Sequence, residues 1–349
     1  MSEPQIVREF NVSPHLLGDV DSCSTWGWVR HVQGYTSPGD SIRMLAGQAI
    51  HRAMEVLFDP AVATAPISRV DAAVQAFHQV YDAKCATCPP EKLDAAYAPG
   101  NLDKIIRRWI EMRVPQIPWL RVLATEEAFV SRSWVFMVPN VGLVKVNLIV
   151  RPDLVVEDYQ GYIRWVDSKS TGWHIGDSGW QLALKLSSQV QLYSDGVIQK
   201  YGEKAVYGGW ISAIEIKTQP GQTAPKIKKD GTPAKERTCG VHGLPYSECG
   251  PEHTKAEFIE CLTNPERVEQ AVIDAERAAK KFVDIVLASE RISAMERPSL
   301  MGLGMQGTEH NQCRFCPANA WCYETTRNPQ LLEGTLIRDP WKVETGRRD

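Results

Sequence analysis

The length, composition and charge of the chain exclude several classes of protein. It has 349 residues, 43% of them apolar and 23% charged, which is the composition of a globular protein with ample material for a core. The formal net charge of −3 creates no overall field that would attract nucleic acid, so any surface that binds it must be local. No apolar run is long enough to cross a bilayer, because Lys145 interrupts the longest one, residues 141–150.

The start of the chain and its cysteines indicate an intracellular protein that does not bind a membrane. The first residues do not have the pattern of a signal peptide. In a reducing compartment, the nine cysteines are better explained as metal ligands and buried thiols than as disulfides.

The hydrophobic pattern predicts helices, then strands, then helices again. The aromatic-rich residues 13–35 are expected to include a short helix that carries Cys23, and residues 70–113 have an irregular helical pattern. The other predicted helices cover residues 41–58, 187–201 and 264–287. Segments rich in Val, Ile, Trp and Phe predict strands over residues 128–138, 143–156, 162–167 and 206–216.

This order of elements predicts an α/β (α+β) fold, in which a central mixed sheet with a β-hairpin is flanked by helices. We expect a single domain over residues 1–349. Two segments interrupt it in this prediction. Residues 59–125 would form a helical insertion, and the polar residues 218–255, rich in Gly, Pro and Lys, would leave the sheet as a second insertion.

The sharpest chemical pattern lies on the two sides of the predicted hairpin. If its turn is centred near Gln160, antiparallel pairing places Asp153 opposite Asp167, and the alternation of side chains puts Lys169 on the same face. Two opposed carboxylates destabilise a sheet unless a cation lies between them, and carboxylate oxygens suit Mg²⁺ or Mn²⁺. A lysine beside such a cation can stabilise the charge that develops on a phosphate during hydrolysis. The alternative is a solvent-exposed hairpin edge with scattered charges.

Two further motifs flank the hairpin. Gly47-x-x-x-His51 lies on the predicted helix before it, and Gln189-x-x-x-Tyr193 lies on the helix after it. A helix with G-x-x-x-H, a strand with P-D, a strand with D-x-K and a helix with Q-x-x-x-Y resemble, in this order, the RecB-like branch of the PD-(D/E)XK nuclease superfamily. The resemblance implies a restriction-endonuclease-like version of the expected fold.

The resemblance also implies roles for these residues. The implied ligands of a catalytic Mg²⁺ or Mn²⁺ are His51, Asp153, Asp167 and the backbone carbonyl of Ser168. Lys169 would activate or position the attacking water, while Gln189 and Tyr193 would hold the DNA strand or support the site. Glu55, one turn beyond His51, is a weaker candidate, better explained by a salt bridge or by a contact that supports the ligands.

Four cysteines suggest a second metal centre. Cys313, Cys316 and Cys322 are closely spaced, and Cys23 is the natural fourth ligand of a tetrahedral set. By ligand type, four thiolates suit [4Fe–4S] and Zn²⁺ about equally, and plain buried thiols are a further alternative. One early cysteine with a late C-x2-C-x5-C resembles the iron–sulfur nucleases, which include the CRISPR-associated exonucleases and the AddB nuclease subunit. This resemblance favours an iron–sulfur cluster that joins residues 13–35 to residues 300–330.

Other cysteines and two tryptophans leave alternatives open. Cys85 and Cys88 could bind metal with another partner or be ordinary thiols. Trp173 and Trp180 could stack on an unpaired base or pack against the protein. Four residues of the polar insertion have the ligand types of a zinc site, unless they lie by chance in a flexible loop: Cys239, His242, Cys249 and His253.

Taken together, the patterns predict a metal-dependent DNA exonuclease that acts at ends or on single strands. Recombination, repair, phage DNA processing and CRISPR adaptation would suit it, with recombination, helicase or CRISPR proteins or a second copy of the chain as partners. The alternative is a catalytically silent iron–sulfur module that binds DNA or acts as a scaffold. The chain has no G-x-x-x-x-G-K-[ST] phosphate loop, so we do not expect it to be a helicase itself.

Overall fold

The computed structural model describes residues 5–36, 42–59, 68–85, 97–172, 174–216, 232, 255–293 and 337–338. The helices in these ranges are α1 (Pro14–Ser22), α2 (Ser24–Gly27), α3 (Ile42–Phe58), α4 (Arg69–Cys85), α5 (Pro99–Arg113), α6 (Ser178–Leu186), α7 (Ser188–Tyr201) and α8 (Pro265–Ser293). The strands are β1 (Ile6–Val12), β2 (Tyr35–Thr36), β3 (Trp119–Thr125), β4 (Phe129–Val138), β5 (Gly142–Val150), β6 (Leu154–Asp158), β7 (Ile163–Thr171), β8 (Ala205–Glu215), β9 (Ala256–Leu262) and β10 (Ile337–Arg338). Among the described helices, none has both the length and the apolar character that a membrane span requires.

Two mixed sheets form the centre of the described structure. A five-stranded sheet has the order β3-β6-β7-β8-β9, with β7 and β8 parallel and the other neighbours antiparallel. A three-stranded sheet has the order β1-β5-β4, with β1 parallel to β5 and β4 antiparallel to it. Helices pack against these sheets, so the predicted α/β (α+β) class is confirmed.

The five-stranded sheet separates two apolar clusters. Trp165 of β7 packs in the cluster that includes residues of α1, α7 and α8, while its neighbour Val166 packs in the cluster that includes residues of α3, α4 and α5. Successive side chains of a strand point to opposite faces, so each strand of this sheet contributes to both clusters. The sheet is therefore covered by helices on both faces, which explains why the neighbours Trp165 and Val166 are both fully buried.

Two predicted boundaries are wrong, one of a strand and one of the helical insertion. The predicted strand over residues 143–156 is two strands in different sheets, β5 and β6, separated at Arg151 and Pro152. Proline cannot donate to a strand ladder, which is consistent with a break there. Residues 119–125, which the prediction assigned to a helical insertion, form β3 at the edge of the five-stranded sheet; α4 and α5 lie within that segment as expected.

The hairpin of β6 and β7 has the register that a turn at Gln160 predicts, with Leu154 opposite Val166. The turn is stabilised by Asp158, whose carboxylate accepts hydrogen bonds from the backbone N–H groups of Gln160 and Tyr162, both at 2.9 Å. Gly161 has a φ of +86°, which a residue without a side chain adopts easily. Local turn chemistry thus sets the register that carries the acidic motif.

Distant parts of the sequence meet at a short ladder. The two-residue strand β10 pairs with β2, so that Ile337 lies opposite Thr36 and Arg338 opposite Tyr35.

Several predicted ligands and one tryptophan lie outside the described residues: Cys88, Trp173, Cys239, His242, Cys249, His253, Cys313, Cys316 and Cys322.

Candidate active site

The sequence motifs converge on one cavity of about 600 Å³. Its walls come from α3, the turn between β3 and β4, the segment before β6, strand β7 and helix α7. The predicted site residues whose side chains line it are His51, Asp153, Asp167, Lys169, Gln189 and Tyr193. Ser168 is buried between two of them in β7.

Asp153 is the residue at which these elements meet. Its Oδ2 accepts a hydrogen bond from the backbone N–H of Ser168 at 2.6 Å, and its Oδ1 lies 2.8 Å from Nδ1 of His51. Burial alone would raise the pKa of Asp153, but the charge of His51 and these hydrogen bonds outweigh it, and the pKa is lowered. Asp153 in turn raises the pKa of His51, against the effect of burial on the imidazole. Without metal, the pair therefore favours a carboxylate beside an imidazolium, and a metal ion bound by His51 would take the place of that proton.

Asp167 is held by the lysine two residues further along β7. Nζ of Lys169 lies 2.6 Å from Oδ2 of Asp167, as expected for side chains on one face of a strand. Asp167 is only 2% exposed. Burial and the charge of Asp153 raise the pKa of Asp167, and Lys169 offsets this only in part. The ionised form of Asp167 is therefore disfavoured unless a further positive charge lies nearby.

Glu126 is a site residue that the sequence analysis missed. It lies in the turn between β3 and β4 with a φ of +47°, and its backbone N–H donates to the carbonyl of Asp153 at 2.8 Å. Burial and the charge of Asp153 raise the pKa of Glu126 to about 7. One ligand atom each of Glu126, His51 and Asp153 lie within 4.8 Å of one another, a group that Asp167 does not join.

The signal for Glu126 in the sequence was ambiguous. The chain has an acidic pair, Glu126 and Glu127, between two strands. Thr125 lies opposite Leu154, which brings Glu126 to Asp153, whereas Glu127 is exposed and pairs with Lys200 at 2.5 Å. Only the pairing of β3 with β6 distinguishes the two residues.

Tyr193 and Gln189 support the segment that carries Asp153. The hydroxyl of Tyr193 donates to the backbone carbonyl of Arg151 at 3.2 Å and accepts from Nε2 of Gln189 at 2.8 Å. Burial and the charges of Asp167 and Asp153 raise the pKa of Tyr193 well above its ordinary value, so the hydroxyl stays protonated. Tyr193 is thereby kept as a hydrogen-bond donor to the chain just before Asp153.

The donor set fits a hard divalent cation. Glu126, Asp153 and Asp167 present carboxylates in one cavity, and His51 adds an imidazole. The pKa values of Glu126 and Asp167 are raised because burial and the charge of Asp153 disfavour their ionised forms. A cation would remove this repulsion, and carboxylate oxygens are the ligands that Mg²⁺ and Mn²⁺ prefer.

The remaining predicted residues lie as follows. Glu55 forms an ion pair with Arg52 at 2.5 Å, the salt bridge that was expected. Trp180 of α6 is partly buried and packs against the cluster of α7 and α8, which favours the packing explanation. Cys23 is a partly buried free thiol, and its Sγ accepts a hydrogen bond from the backbone N–H of Trp26 at 3.4 Å.

A comparison of the sequence with protein families agrees with this geometry. The family model of the PD-(D/E)XK nuclease superfamily matches residues 11–323, which include every element that lines the cavity. No curated protein matches the chain significantly. The two mixed sheets flanked by helices are consistent with the restriction-endonuclease-like fold of that superfamily. The chain therefore belongs to the PD-(D/E)XK nuclease superfamily, whose members are metal-dependent nucleases.

Proposed function

We propose that the chain is an exonuclease that hydrolyses DNA with Mg²⁺ or Mn²⁺, at ends or on single strands. The observation that carries this proposal is the contact network of Asp153, in which one carboxylate bonds both to His51 of α3 and to the backbone of Ser168 in β7. This network brings the acidic and basic residues of three elements to one cavity. The preference for ends or single strands rests on the resemblance to the iron–sulfur exonucleases.

The proposed roles of the residues are those that the resemblance implies, and the contacts of the side chains support them. His51, Asp153, Asp167 and the carbonyl of Ser168 would hold the cation, with Glu126 as a further carboxylate. When bound, the cation lowers the pKa of a water and polarises a phosphoryl oxygen.

The other residues of the site act on the substrate and on the ligands. Lys169 supplies a positive charge where the negative charge of the phosphate increases in the transition state. Tyr193 holds the carbonyl of Arg151 and so keeps Asp153 in position. Gln189 orients the hydroxyl of Tyr193 by a hydrogen bond. Because Gln189 also lines the cavity, it is able to contact the DNA strand.

An iron–sulfur cluster bound by Cys23, Cys313, Cys316 and Cys322 belongs to this proposal. The pairing of β2 with β10 supports the cluster. Strand β2 follows Cys23 by little more than ten residues and strand β10 follows Cys322 at a similar distance, so their pairing brings the two cysteine segments near each other. The N–H···S hydrogen bond from Trp26 to Cys23 is of the kind that tunes cluster thiolates. A zinc site at Cys239, His242, Cys249 and His253 is a separate proposal, supported by residue types alone.

The biological setting is also a proposal. Recombination, repair, phage DNA processing and CRISPR adaptation all generate DNA ends, and the cysteine pattern resembles that of nucleases which act there. A catalytically silent scaffold is the alternative. The contact of Lys169 with Asp167 speaks against it, because a module without catalysis has no use for a buried carboxylate whose charge is incompletely balanced.

The test is cleavage of end-labelled single-stranded and double-stranded DNA in the presence of Mn²⁺, with wild type, Asp167→Ala and Lys169→Ala. We expect cleavage from an end by the wild type and its loss in both variants. Cleavage that survives both substitutions would come from a contaminant or from another site. Internal cleavage of circular single strands would contradict the exonuclease part of the proposal, while the proposed nuclease activity would stand.

A further inference from the structure

Gly47 lies in the interior of α3, where a glycine is unfavourable. The helix has 17 residues, and a glycine at such a position destabilises a helix relative to alanine. Among the described residues, a Cβ added at Gly47 would meet only Oγ of Ser170, at 3.6 Å, which is an ordinary van der Waals contact. This part of the protein therefore has room for a methyl group at position 47.

Other glycines of the structure show what a packing requirement looks like. A Cβ at Gly196 would lie 2.4 Å from Val150, and one at Gly209 would lie 2.2 Å from the backbone of Trp165. Close packing explains both of these glycines, whereas it does not explain Gly47. Gly47 lines the cavity, so the space above its backbone is open to a ligand.

Arg43 lies one helical turn before Gly47 and lines the same cavity. The row Arg43, Gly47 and His51 has a spacing of four residues, so its members follow one another at steps of about 6 Å along one side of the helix. The other cations of the cavity are each paired with a carboxylate: His51 with Asp153, Arg52 with Glu55, Arg151 with Glu126 and Lys169 with Asp167.

Arg43 differs from these cations. Within the described part of the chain it has no carboxylate partner, and its guanidinium lies 5.9 Å from the ring centre of Tyr97. Its side chain is exposed. An exposed guanidinium at the wall of an anionic site, without an acidic partner among these residues, is suited to a phosphate group.

We infer that this face of α3 is a subsite for the nucleotide next to the scissile phosphate. The sugar–phosphate backbone of a single DNA strand passes over Gly47, and the neighbouring phosphate binds Arg43. The inference rests on the proposed nuclease function, because the reacting phosphate is taken to lie at His51 and Asp153. It goes beyond that function by naming the path of the strand on one side of the site.

Binding of a fluorescent single-stranded oligothymidylate tests the inference. The measurement uses anisotropy in the Asp167→Ala background, so that the strand is not cut. We expect Gly47→Ala to weaken binding about tenfold and Gly47→Leu to weaken it further, in the order of side-chain size. Arg43→Gln should weaken binding and reduce the slope of log K against log salt by about 0.7, the value for one phosphate contact on a single strand.

Matched controls separate the subsite from general effects. Gly18 is an exposed glycine in the interior of α1 with nothing within 4 Å of an added Cβ, so Gly18→Ala should leave DNA binding unchanged. Arg277→Gln removes an exposed arginine of α8 that pairs with Asp274 and should not change the salt slope. The melting temperatures of Gly47→Ala and Gly18→Ala should equal or exceed that of the wild type.

Hydrolysis of bis(p-nitrophenyl) phosphate distinguishes this inference from the proposed function. The small diester reaches the centre without a flanking nucleotide, so Gly47→Ala should hydrolyse it as the wild type does while cleaving DNA about tenfold more slowly. Unchanged DNA affinity in both Gly47→Ala and Arg43→Gln would overturn the subsite and leave the nuclease proposal intact. A wild type that neither binds DNA nor hydrolyses either substrate would overturn both. A lower melting temperature of Gly47→Ala would show that the protein has no room for a side chain at this position, and would contradict the passage of the strand over Gly47. An unchanged salt slope in Arg43→Gln would contradict the phosphate contact of Arg43.

Discussion

The backbone N–H of Ser168 donates to the carboxylate of Asp153 with a separation of 2.6 Å. This bond joins the second strand of the hairpin to the residue just before the first strand. The other oxygen of Asp153 bonds to His51 of α3, so one buried carboxylate links the hairpin to a helix about a hundred residues earlier in the chain.

Asp167→Asn should separate stability from function. Burial and the charge of Asp153 disfavour ionised Asp167, so an uncharged residue of the same shape should leave the metal-free protein as stable as the wild type or more stable. The affinity for Mn²⁺, measured by calorimetry, should fall about 10- to 100-fold, with loss of DNA cleavage. As a contrast, Asp195→Asn breaks the ion pair between the buried carboxylate of Asp195 and Arg132, and should lower the melting temperature without weakening Mn²⁺ binding. A destabilised Asp167→Asn protein with intact metal affinity would refute the assignment.

Lys169→Met should slow DNA cleavage about 100- to 1000-fold, because it removes a positive charge from the place where the phosphate becomes more negative. Its affinity for Mn²⁺ should not fall, since Lys169 and a cation compete for the carboxylate of Asp167. Lys145→Met is a matched control, because both amines are 30% exposed and pair with a carboxylate, in this case Glu9. Cleavage by Lys169→Met within about threefold of the Lys145→Met rate would show that the amine is only structural.

Glu126→Gln should change how the stability of the metal-free protein depends on pH. The pKa of Glu126 is about 7 in the folded chain and 4.5 ordinarily, so its protonated form stabilises the fold below pH 4.5, and this contribution is lost as the pH rises to about 7. Across this window, the wild type should lose about 2 kcal/mol more of its free energy of unfolding than Glu126→Gln does, in urea titrations with EDTA.

Glu127→Gln is the control for this pH experiment. Glu127 is the exposed neighbour and lies outside the cavity, so its substitution should leave the wild-type pH dependence in place. With Mn²⁺ in excess the decline should reverse, because the cation binds the ionised carboxylates and stabilises the fold that holds them. Identical pH curves for wild type and Glu126→Gln would exclude Glu126 from the group of interacting carboxylates in the cavity.

Tyr193→Phe should loosen the segment that carries Asp153. It removes the hydrogen bond to the carbonyl of Arg151 and should cost about 1 kcal/mol of stability. We expect kcat to fall about tenfold while the KM for DNA stays the same, because Tyr193 positions Asp153 and does not touch the strand. Tyr159→Phe changes an exposed tyrosine of the hairpin turn and should lower neither the stability nor kcat. A raised KM with unchanged kcat would instead assign Tyr193 to substrate binding.

Cys23→Ser tests the proposed iron–sulfur cluster. Protein purified without oxygen should be brown and contain iron and sulfide, and Cys23→Ser should lose iron and have a lower melting temperature, because a cluster that closes a loop of most of the chain stabilises the fold. Cys261→Ala removes a buried thiol of β9 and should keep the colour. A colourless wild type that contains one zinc per chain would favour the zinc alternative.

Much of the acidic site could be predicted from the sequence because its geometry is local. The register of Asp153 and Asp167 depends on a turn at Gln160, which Asp158 and Gly161 stabilise within a few residues. The alternation of side chains then puts Lys169 beside Asp167. Helical spacing likewise indicated that α3 presents His51 and Gly47 on one side.

Residues far apart in the sequence were harder to predict. The division of residues 143–156 between two sheets and the strand character of residues 119–125 both depend on which strands pair, and hydrophobic pattern alone does not encode the partner of a strand.

Local patterns suffice to predict the fold class and the chemistry of the hairpin, because periodicity and turn residues act over a few positions. That Glu126 and not Glu127 enters the site, and that Arg43 faces the same cavity as Lys169, depends on how distant segments pack together. Both facts arise from long-range contacts of β3 and α3 with the hairpin, whose free energy comes from burial across the whole sheet and not from any local pattern.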